Sequence, residues 1–409
     1  MKKATLLMVG TSLVASSVWA GSFQLNLQGI RQTAMGGSGV AYPWDASTIF
    51  FNPGGLSRLG GMQAYASVHF LTPHVRYVQT PTGDYTADTK THLSTPFAVY
   101  VGGPVKKGSR LGVGVAAYTP FGSSINWGDD WTGRYIIQSI SLQSIFIQPT
   151  VSYAVNDNIS VGAGFVYGFG SVDITKAIPV QDATGADGQA KLKGNAHGMG
   201  FNVGIQVKAT DDLRFGVSYR SGVTMKVNNG DAAFTVPASV SAQFPATTFK
   251  TELPLPGILT VGAAYKATKD LTLQADLVYA GWKKYDSLSF DFEENLAVSD
   301  VHDARSYKNT LALRLGAHYQ LCEGLSVMAG GAYDPTPTRS NLVSPDAVDA
   351  NRITLACGLT YNPLPKLTLM GVLNYTTTSK RTVSYDPDNF SGAYQIKSLA
   401  PAIGVAYSF

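Results

Sequence analysis

The sequence predicts an all-β protein: a transmembrane antiparallel β-barrel of about 14 strands with an N-terminal hatch inside its lumen. Three observations point there. Large apolar residues alternate with small or polar ones, as in Ile403-Gly404-Val405-Ala406-Tyr407-Ser408-Phe409. Successive strand side chains point to opposite faces, so such a run has one face for lipid and one for a lumen. Charged residues make up only 14% of the chain while Tyr, Phe and Gly number 21, 18 and 43, a balance that suits a membrane barrel with aromatic girdles better than a soluble domain. The connections between strands also alternate between short and long, as in an up-and-down barrel. A secreted β-sandwich is the competing fold.

Residues 1–20 read as a signal peptide. Lys2 and Lys3 form its charged start, Ala4 to Trp19 its apolar stretch, and Val18-Trp19-Ala20 its cleavage site. The stretch is too short, and too interrupted by Ser and Thr, for a membrane anchor. Residues 21–60 are assigned to the hatch. They hold few alternating runs, yet Phe23, Leu25, Leu27, Ile30, Ile49, Phe50, Phe51 and Leu56 need burial, which the inside of a barrel offers. Residues 61–409 make the barrel. Short connections fall at 106–109, 156–158, 211–212, 268–270, 322–324 and 363–366, several with the Asp and Asn of tight hairpins. Long ones centre on 73–92, 120–140, 176–193, 229–250, 289–303, 335–350 and 379–395. Six short and seven long connections imply about 14 strands, with short turns facing the periplasm and long loops facing out.

The strand faces carry more. On 271–279 the Leu, Ala and Tyr face meets lipid, while Thr272, Gln274 and Asp276 point inward. On 367–375 the inner face adds Met370 and Val372 to Thr368 and Asn374, and 159–166 turns Gly162, Gly164 and Val166 inward. A lumen this apolar suits either a greasy solute or packing against a plug. Cys322, placed in a tight turn, and Cys357, on a strand that is not its direct neighbour, are expected to stay unpaired; their spacing matches no zinc site.

Several further pieces stand in a fixed order: Gly21-Ser22-Phe23-Gln24-Leu25-Asn26, then Asp45 through Asn52-Pro53-Gly54-Gly55-Leu56, Thr119-Pro120-Phe121-Gly122-Ser123, Trp131-Thr132-Gly133-Arg134-Tyr135, Leu255-Pro256-Gly257, Gly281-Trp282 and Ala332-Tyr333-Asp334-Pro335. With them the chain, from its mature start to Phe409, resembles the FadL family of outer-membrane transporters for long-chain fatty acids and other hydrophobic compounds. The resemblance implies a 14-stranded barrel plugged by a hatch, with Phe23, Asn52, Pro53 and Gly54 in the moving part. The family carries Asn-Pro-Ala where this chain has Asn52-Pro53-Gly54, and the extra backbone freedom of Gly makes the local hatch conformation an open point. It also implies sideways release at a kinked strand; Leu111-Gly112-Val113-Gly114-Val115-Ala116-Ala117-Tyr118 is the candidate, since Gly within a strand permits a kink.

The expected function is passive uptake of hydrophobic small molecules across the bacterial outer membrane. Each buried methylene is worth about 0.8 kcal/mol, so a long acyl chain supplies most of its own affinity. A carboxylate head then needs a cation, because an unpaired charge in an apolar site is costly. Lys176 and Lys308 match positions where fatty-acid members of the family carry basic residues; solvated loop lysines are the alternative. Arg134 is a further ligand candidate or an inter-loop pairing residue. A monoaromatic or other neutral hydrocarbon is the second substrate class, for which the lysines would be dispensable.

Other classes find less support. Net charge +4 is spread along the chain and forms no nucleic-acid stripe. No Walker-type loop is present. His69, His74, His92, His197, His302 and His318 are scattered, with no HExxH pair and no Gly-x-Ser-x-Gly elbow. No enzyme activity, cofactor or metal is therefore expected, an outer-membrane lipid hydrolase being the enzymatic alternative. A loop-mediated adhesin or receptor is another. The expected partners are the hydrophobic substrate, the lipid bilayer with its lipopolysaccharide, and the outer-membrane assembly machinery through Phe409; the chain is expected to be a monomer.

Overall fold

A sheet with one face in lipid must leave no edge unpaired, and closing on itself satisfies every backbone group. The structure, a computed structural model, describes residues 22–293 and 300–409; the expected signal peptide lies outside them. Fourteen antiparallel strands form a closed barrel. In chain order they are β1 (Gln63–His69), β2 (Phe97–Pro104), β3 (Leu111–Tyr118), β4 (Ser139–Ala154), β5 (Ile159–Gln181), β6 (Asp187–Lys208) and β7 (Leu213–Arg220), then β8 (Ile258–Lys266), β9 (Leu271–Ala280), β10 (Thr310–Cys322), β11 (Leu325–Asp334), β12 (Arg352–Leu364), β13 (Leu367–Thr378) and β14 (Phe390–Ser408). Each pairs with the next, and β14 returns to β1 in the register Gln63↔Ser408 through His69↔Ala402.

Register decides which side chains meet lipid. Ile403, Val405 and Tyr407 are exposed on the outside, together with Leu273, Leu277 and Tyr279. Thr272, Gln274 and Asp276 are buried inside, as are Met370, Val372 and Asn374. Tyr219, Tyr279, Tyr333 and Tyr375 lie outward near the outer ends of their strands, where an aromatic girdle belongs.

The outer connections depart from their sequence reading. β5 runs to Gln181 and β6 starts at Asp187, so 176–193 is mostly paired strand and the connection is only 182–186. Strands Val223–Thr235 and Thr247–Leu255 likewise fill much of 229–250. Beyond the membrane, side chains on both strand faces meet water or protein. The alternation that marks a strand fades there while backbone pairing continues. Cys322 is the last residue of β10 rather than a turn residue, and both cysteines are free and exposed.

Residues 22–60 pack inside the barrel. A short helix, Ile30–Ala34, is followed by the turn Thr48–Phe51 and the 3-10 turn Pro53–Arg58. Ile30, Met35, Ile49 and Leu56 are fully buried, each worth about 1.5–3 kcal/mol. What admits this segment is a belt of inward-facing wall glycines. A Cβ on Gly112 would come within 2.9 Å of Ser57 Cα. One on Gly162 would strike the Pro53 carbonyl, on Gly216 the Val40 carbonyl, and on Gly316 and Gly330 the Met35 side chain and backbone. Glycine here serves close approach of two backbones. That corrects the reading of Gly112 and Gly114 as kink sites: they sit in regular ladder opposite Pro104 and Gly102.

Candidate transport site

Asn52 anchors the buried segment to the wall. Its side chain is fully buried, and Nδ2 donates to the carbonyls of Val40 (2.8 Å) and Ile205 (2.9 Å), while Oδ1 accepts from Gly54 N–H (3.1 Å). The Asn-Pro-Gly run thus closes a turn and reaches into the β6 ladder. At Gly54 a Cβ would stand 2.9 Å from the Gly204 carbonyl and 3.0 Å from that of Ser160, so glycine fits this wall more closely than alanine. Asn52→Ala would leave the buried Gly54 N–H without its acceptor and remove a donor from the Val40 and Ile205 carbonyls, and should cost about 1–3 kcal/mol. The expected readout is faster proteolytic nicking of residues 22–60 in an otherwise folded barrel.

Three wall charges hold the rest of the segment. Asp276 on β9 accepts the backbone N–H groups of Gly39 (2.8 Å) and Val40 (3.1 Å). Arg314 on β10 donates to Asn26 (2.9 Å) and lies 3.6 Å from Asp334. Arg220 closes β7 with its guanidinium 3.9 Å over the Phe50 ring, donating to the Phe50 carbonyl (2.6 Å) and the Tyr118 hydroxyl (2.7 Å).

The wall is interrupted just beyond β3. Tyr118 pairs with Phe146, but the outer strand Gly122–Asn126 resumes with Gly122 opposite Gln143. Thr119-Pro120-Phe121 therefore face only Ser144 and Ile145, a one-residue bulge, and Pro120 has no N–H to give the ladder. The kink candidate β3 is itself regular; the break follows it. On the β2 side the gap is met by the N-terminal segment. Leu25 N–H donates to the Pro120 carbonyl (2.9 Å), Gly122 N–H donates to the Phe23 carbonyl (3.0 Å), and Gln24 stands opposite Phe121.

Two cavities meet at Phe23. The larger, about 620 Å³, reaches the break and is lined by Gln24, Pro96, Phe97, Thr119 and Arg352 among others. The smaller, about 70 Å³, is walled by Phe121, Met225, Leu253, Leu255, Leu288 and Phe290, with Asp346 at its edge. Phe23 lines both and packs edge-on against Trp282 and Tyr285. Asp346 is held by Arg305 in a bidentate pair at 2.9 and 3.2 Å. Burial opposes the Arg305 charge, but Asp346 together with Tyr285 and Tyr307 outweighs it and keeps the guanidinium well above its ordinary pKa.

Of the sequence-selected residues, Asn52, Pro53 and Gly54 form one buried turn, while Phe23 lies on the same segment but packs elsewhere, against Trp282 and Tyr285. Lys176 lies within β5, opposite Ala190, and its charge faces Asp388. Lys308 precedes β10, its N–H donating to the Pro337 carbonyl (2.9 Å). Neither lysine lines either cavity. Arg134 pairs with Asp187 at 2.7 Å and lies over the Tyr135 ring, an inter-loop contact. The Arg134 hydrogen bond holds the Asp187 carboxyl below its usual range. A lowered folded pKa stabilises the contact above the ordinary carboxylate pKa, and that contribution is lost as pH falls through the lowered value. Arg134→Ala should move the Asp187 titration upward, seen in carboxyl-carbon NMR.

Sequence reasoning missed Arg352. Its Nη2 donates to the Ser22 carbonyl and to Asp349, both at 2.7 Å, while Nε and Nη1 make no hydrogen bond among the described residues. The signal was an arginine opening a strand three residues after an aspartate, facing the lumen.

A closed membrane barrel with its own N-terminal segment folded inside is the architecture of an outer-membrane channel. The chain belongs to the family described as outer membrane protein transport protein (OMPP1/FadL/TodX), whose model matches residues 11–409. It is therefore an outer-membrane transporter for hydrophobic compounds. Over 459 residues it is 26% identical to outer membrane protein NMB0088 of Neisseria meningitidis serogroup B, covering 100% of this chain and 98% of that one. It is 21% identical to the long-chain fatty acid transport protein of Salmonella typhi over 87% of each chain. Among solved structures, a Pseudomonas aeruginosa FadL homologue superposes with TM-score 0.82 at 18% identity, covering 95% of this chain and all of that one. The Pseudomonas putida toluene transporter TodX gives 0.73 at 16% identity over 93% and 98%. At such identities the two structures speak for the fold.

Proposed function

We propose that this transporter takes up long-chain fatty acids, with residues 22–60 acting as a hatch and release occurring sideways at the wall break. The observation that carries the reading is the cavity running from Phe23 to Thr119 and Gly122, on either side of the wall break. An acyl chain gains about 0.8 kcal/mol per methylene buried in the apolar cavity, and the free donors of Arg352 offer its carboxylate a partner in the larger one. Movement of Phe23 joins the two cavities, and loss of the Gln24–Phe121 bridge opens the larger one to the outer leaflet. The fatty-acid relative supports this cargo. A neutral hydrocarbon is the second reading, favoured by the small cavity: its charged lining residue, Asp346, is already paired with Arg305, so the cavity offers a carboxylate no cation. The TodX likeness in fold is compatible with it.

Gln24→Cys with Phe121→Cys places two thiols on a bridged pair. In cells, the oxidised form should lose uptake of labelled oleate and regain it on reduction. Unchanged uptake in the oxidised form would refute a moving hatch. Arg352→Gln should weaken oleate uptake and spare toluene; the reverse outcome would move the assignment to the hydrocarbon.

A further inference from the structure

A concavity of about 720 Å³ opens at the outer ends of β4, β5 and β6; it adjoins the larger transport cavity at His92, Ser124, Ile125, Ser141 and Gln143, but its charged residues line neither transport cavity. Its floor is made by outward-facing residues of β4, β5, β6 and the strand Val223–Thr235. In register, Ser141 stands beside Asp173, Asp173 beside Lys193, and Lys193 beside Asp231. One row further out, Thr175 stands beside Lys191. Lys90, on the connection before β2, forms the facing rim.

The height of this groove narrows what fills it. Directly below on the same strands, Ile145 and Phe169 are exposed to lipid. Lys193 pairs with Asp173, four residues beyond Phe169, so its row lies about 13 Å further along the strand at 3.3 Å per residue, and about 10 Å higher once strand tilt is allowed for. The groove therefore opens where the apolar band ends and the headgroups of the outer leaflet begin. Its chemistry is that of a phosphorylated sugar site. Lys193 is held by Asp173 at 3.1 Å, whereas Lys90 and Lys191 form no ion pair among the described residues. Three cations face two carboxylates, Asp173 and Asp231, and between them lie the hydroxyls and amides of Ser124, Ser139, Asn126 and Asn195. Lysine binds phosphate as a point charge, and hydroxyls and amides match a sugar ring.

We infer that this groove is a docking site for the phosphorylated glucosamine headgroup of lipopolysaccharide, with Lys90 and Lys191 clamping phosphate from opposite sides. The volume suits a ligand of that class. Lys90, Lys191 and Lys193 line neither transport cavity, so the site does not depend on which substrate the lumen carries.

The test compares full-length protein with Lys90→Ala/Lys191→Ala/Lys193→Ala and with the matching Lys→Arg triple, each extracted in mild detergent and shown to be folded by heat-modifiable gel mobility. Native mass spectrometry should find lipopolysaccharide on the wild type and the Arg triple, and about tenfold less on the Ala triple, as expected when two or more lysines at a membrane surface are lost. Wild-type protein stripped of lipid should rebind bisphosphorylated lipid A about tenfold more tightly than its dephosphorylated form. This arm stands even if the Ala triple does not fold. Equal retention by the folded Ala triple, equal binding of dephosphorylated lipid A, or displacement by millimolar inorganic phosphate would overturn the assignment.

Discussion

Replacing Gly216 by Leu is expected to drive residues 22–60 out of their seat and turn a plugged barrel into an open one. A Cβ at this position would press on the Val40 carbonyl and lie 2.8 Å from Ala41 Cα. Both partners are backbone, so neither can swing aside as a side chain would. Overpacking a tight core costs about 1–3 kcal/mol, occasionally more, and here relief comes only by moving the segment. That movement also loses the Asp276 bonds to Gly39 and Val40 and the Asn52 bond to Val40. A 3 kcal/mol penalty shifts the balance between seated and unseated segment by roughly a hundredfold. The measurement is permeability of reconstituted vesicles to a small polar solute, with gel mobility confirming that the barrel still folds. A folded, tight Gly216→Leu barrel would contradict the picture.

The second large effect concerns Arg305, which is 2% exposed and paired with Asp346. Arg305→Met removes one member of a buried pair and leaves a carboxylate beside the small apolar cavity. Such a loss typically costs about 3–5 kcal/mol, whereas replacing both members by apolar residues is often neutral or better. The single variant should therefore unfold at clearly lower temperature in detergent, and Arg305→Met with Asp346→Leu should recover most of the loss. If the double variant were no better than the single, the pair would matter for its shape and packing rather than its charge. Because Asp346 also edges the cavity, the double variant should accept a fatty acid more readily than the wild type.

Much of the wall was legible in the sequence because lipid on one side imposes a period of two. Leu273, Leu277 and Tyr279 against Thr272, Gln274 and Asp276 is a pattern only one register can satisfy. The legible part ended where lipid ended: Lys176 falls inside β5, since above the membrane nothing forces alternation. The glycines were visible but ambiguous. A glycine on a strand reads equally as a kink or as a place where another backbone approaches, and only the partner decides. Gly112 proved to be the second kind, while the kink went to Pro120, where the missing N–H is a direct signal. For the charged residues of the lumen, sequence distance hides the contact: Arg352 meets Ser22 across nearly the whole chain. Lys176 and Lys308 were chosen by their charge and by position in the family, and charge alone does not say which way a side chain faces.

The glycine belt bears on how the molecule is made. Residues 22–60 touch wall backbone on many sides, at Gly112, Gly162, Gly216, Gly316 and Gly330, with no clearance for a side chain. A finished cylinder leaves little room for threading such an insert. The seam joining β1 to β14 must then zip last, around a segment already in place. Residues 22–60 would serve as the mandrel on which the strands after them are wrapped.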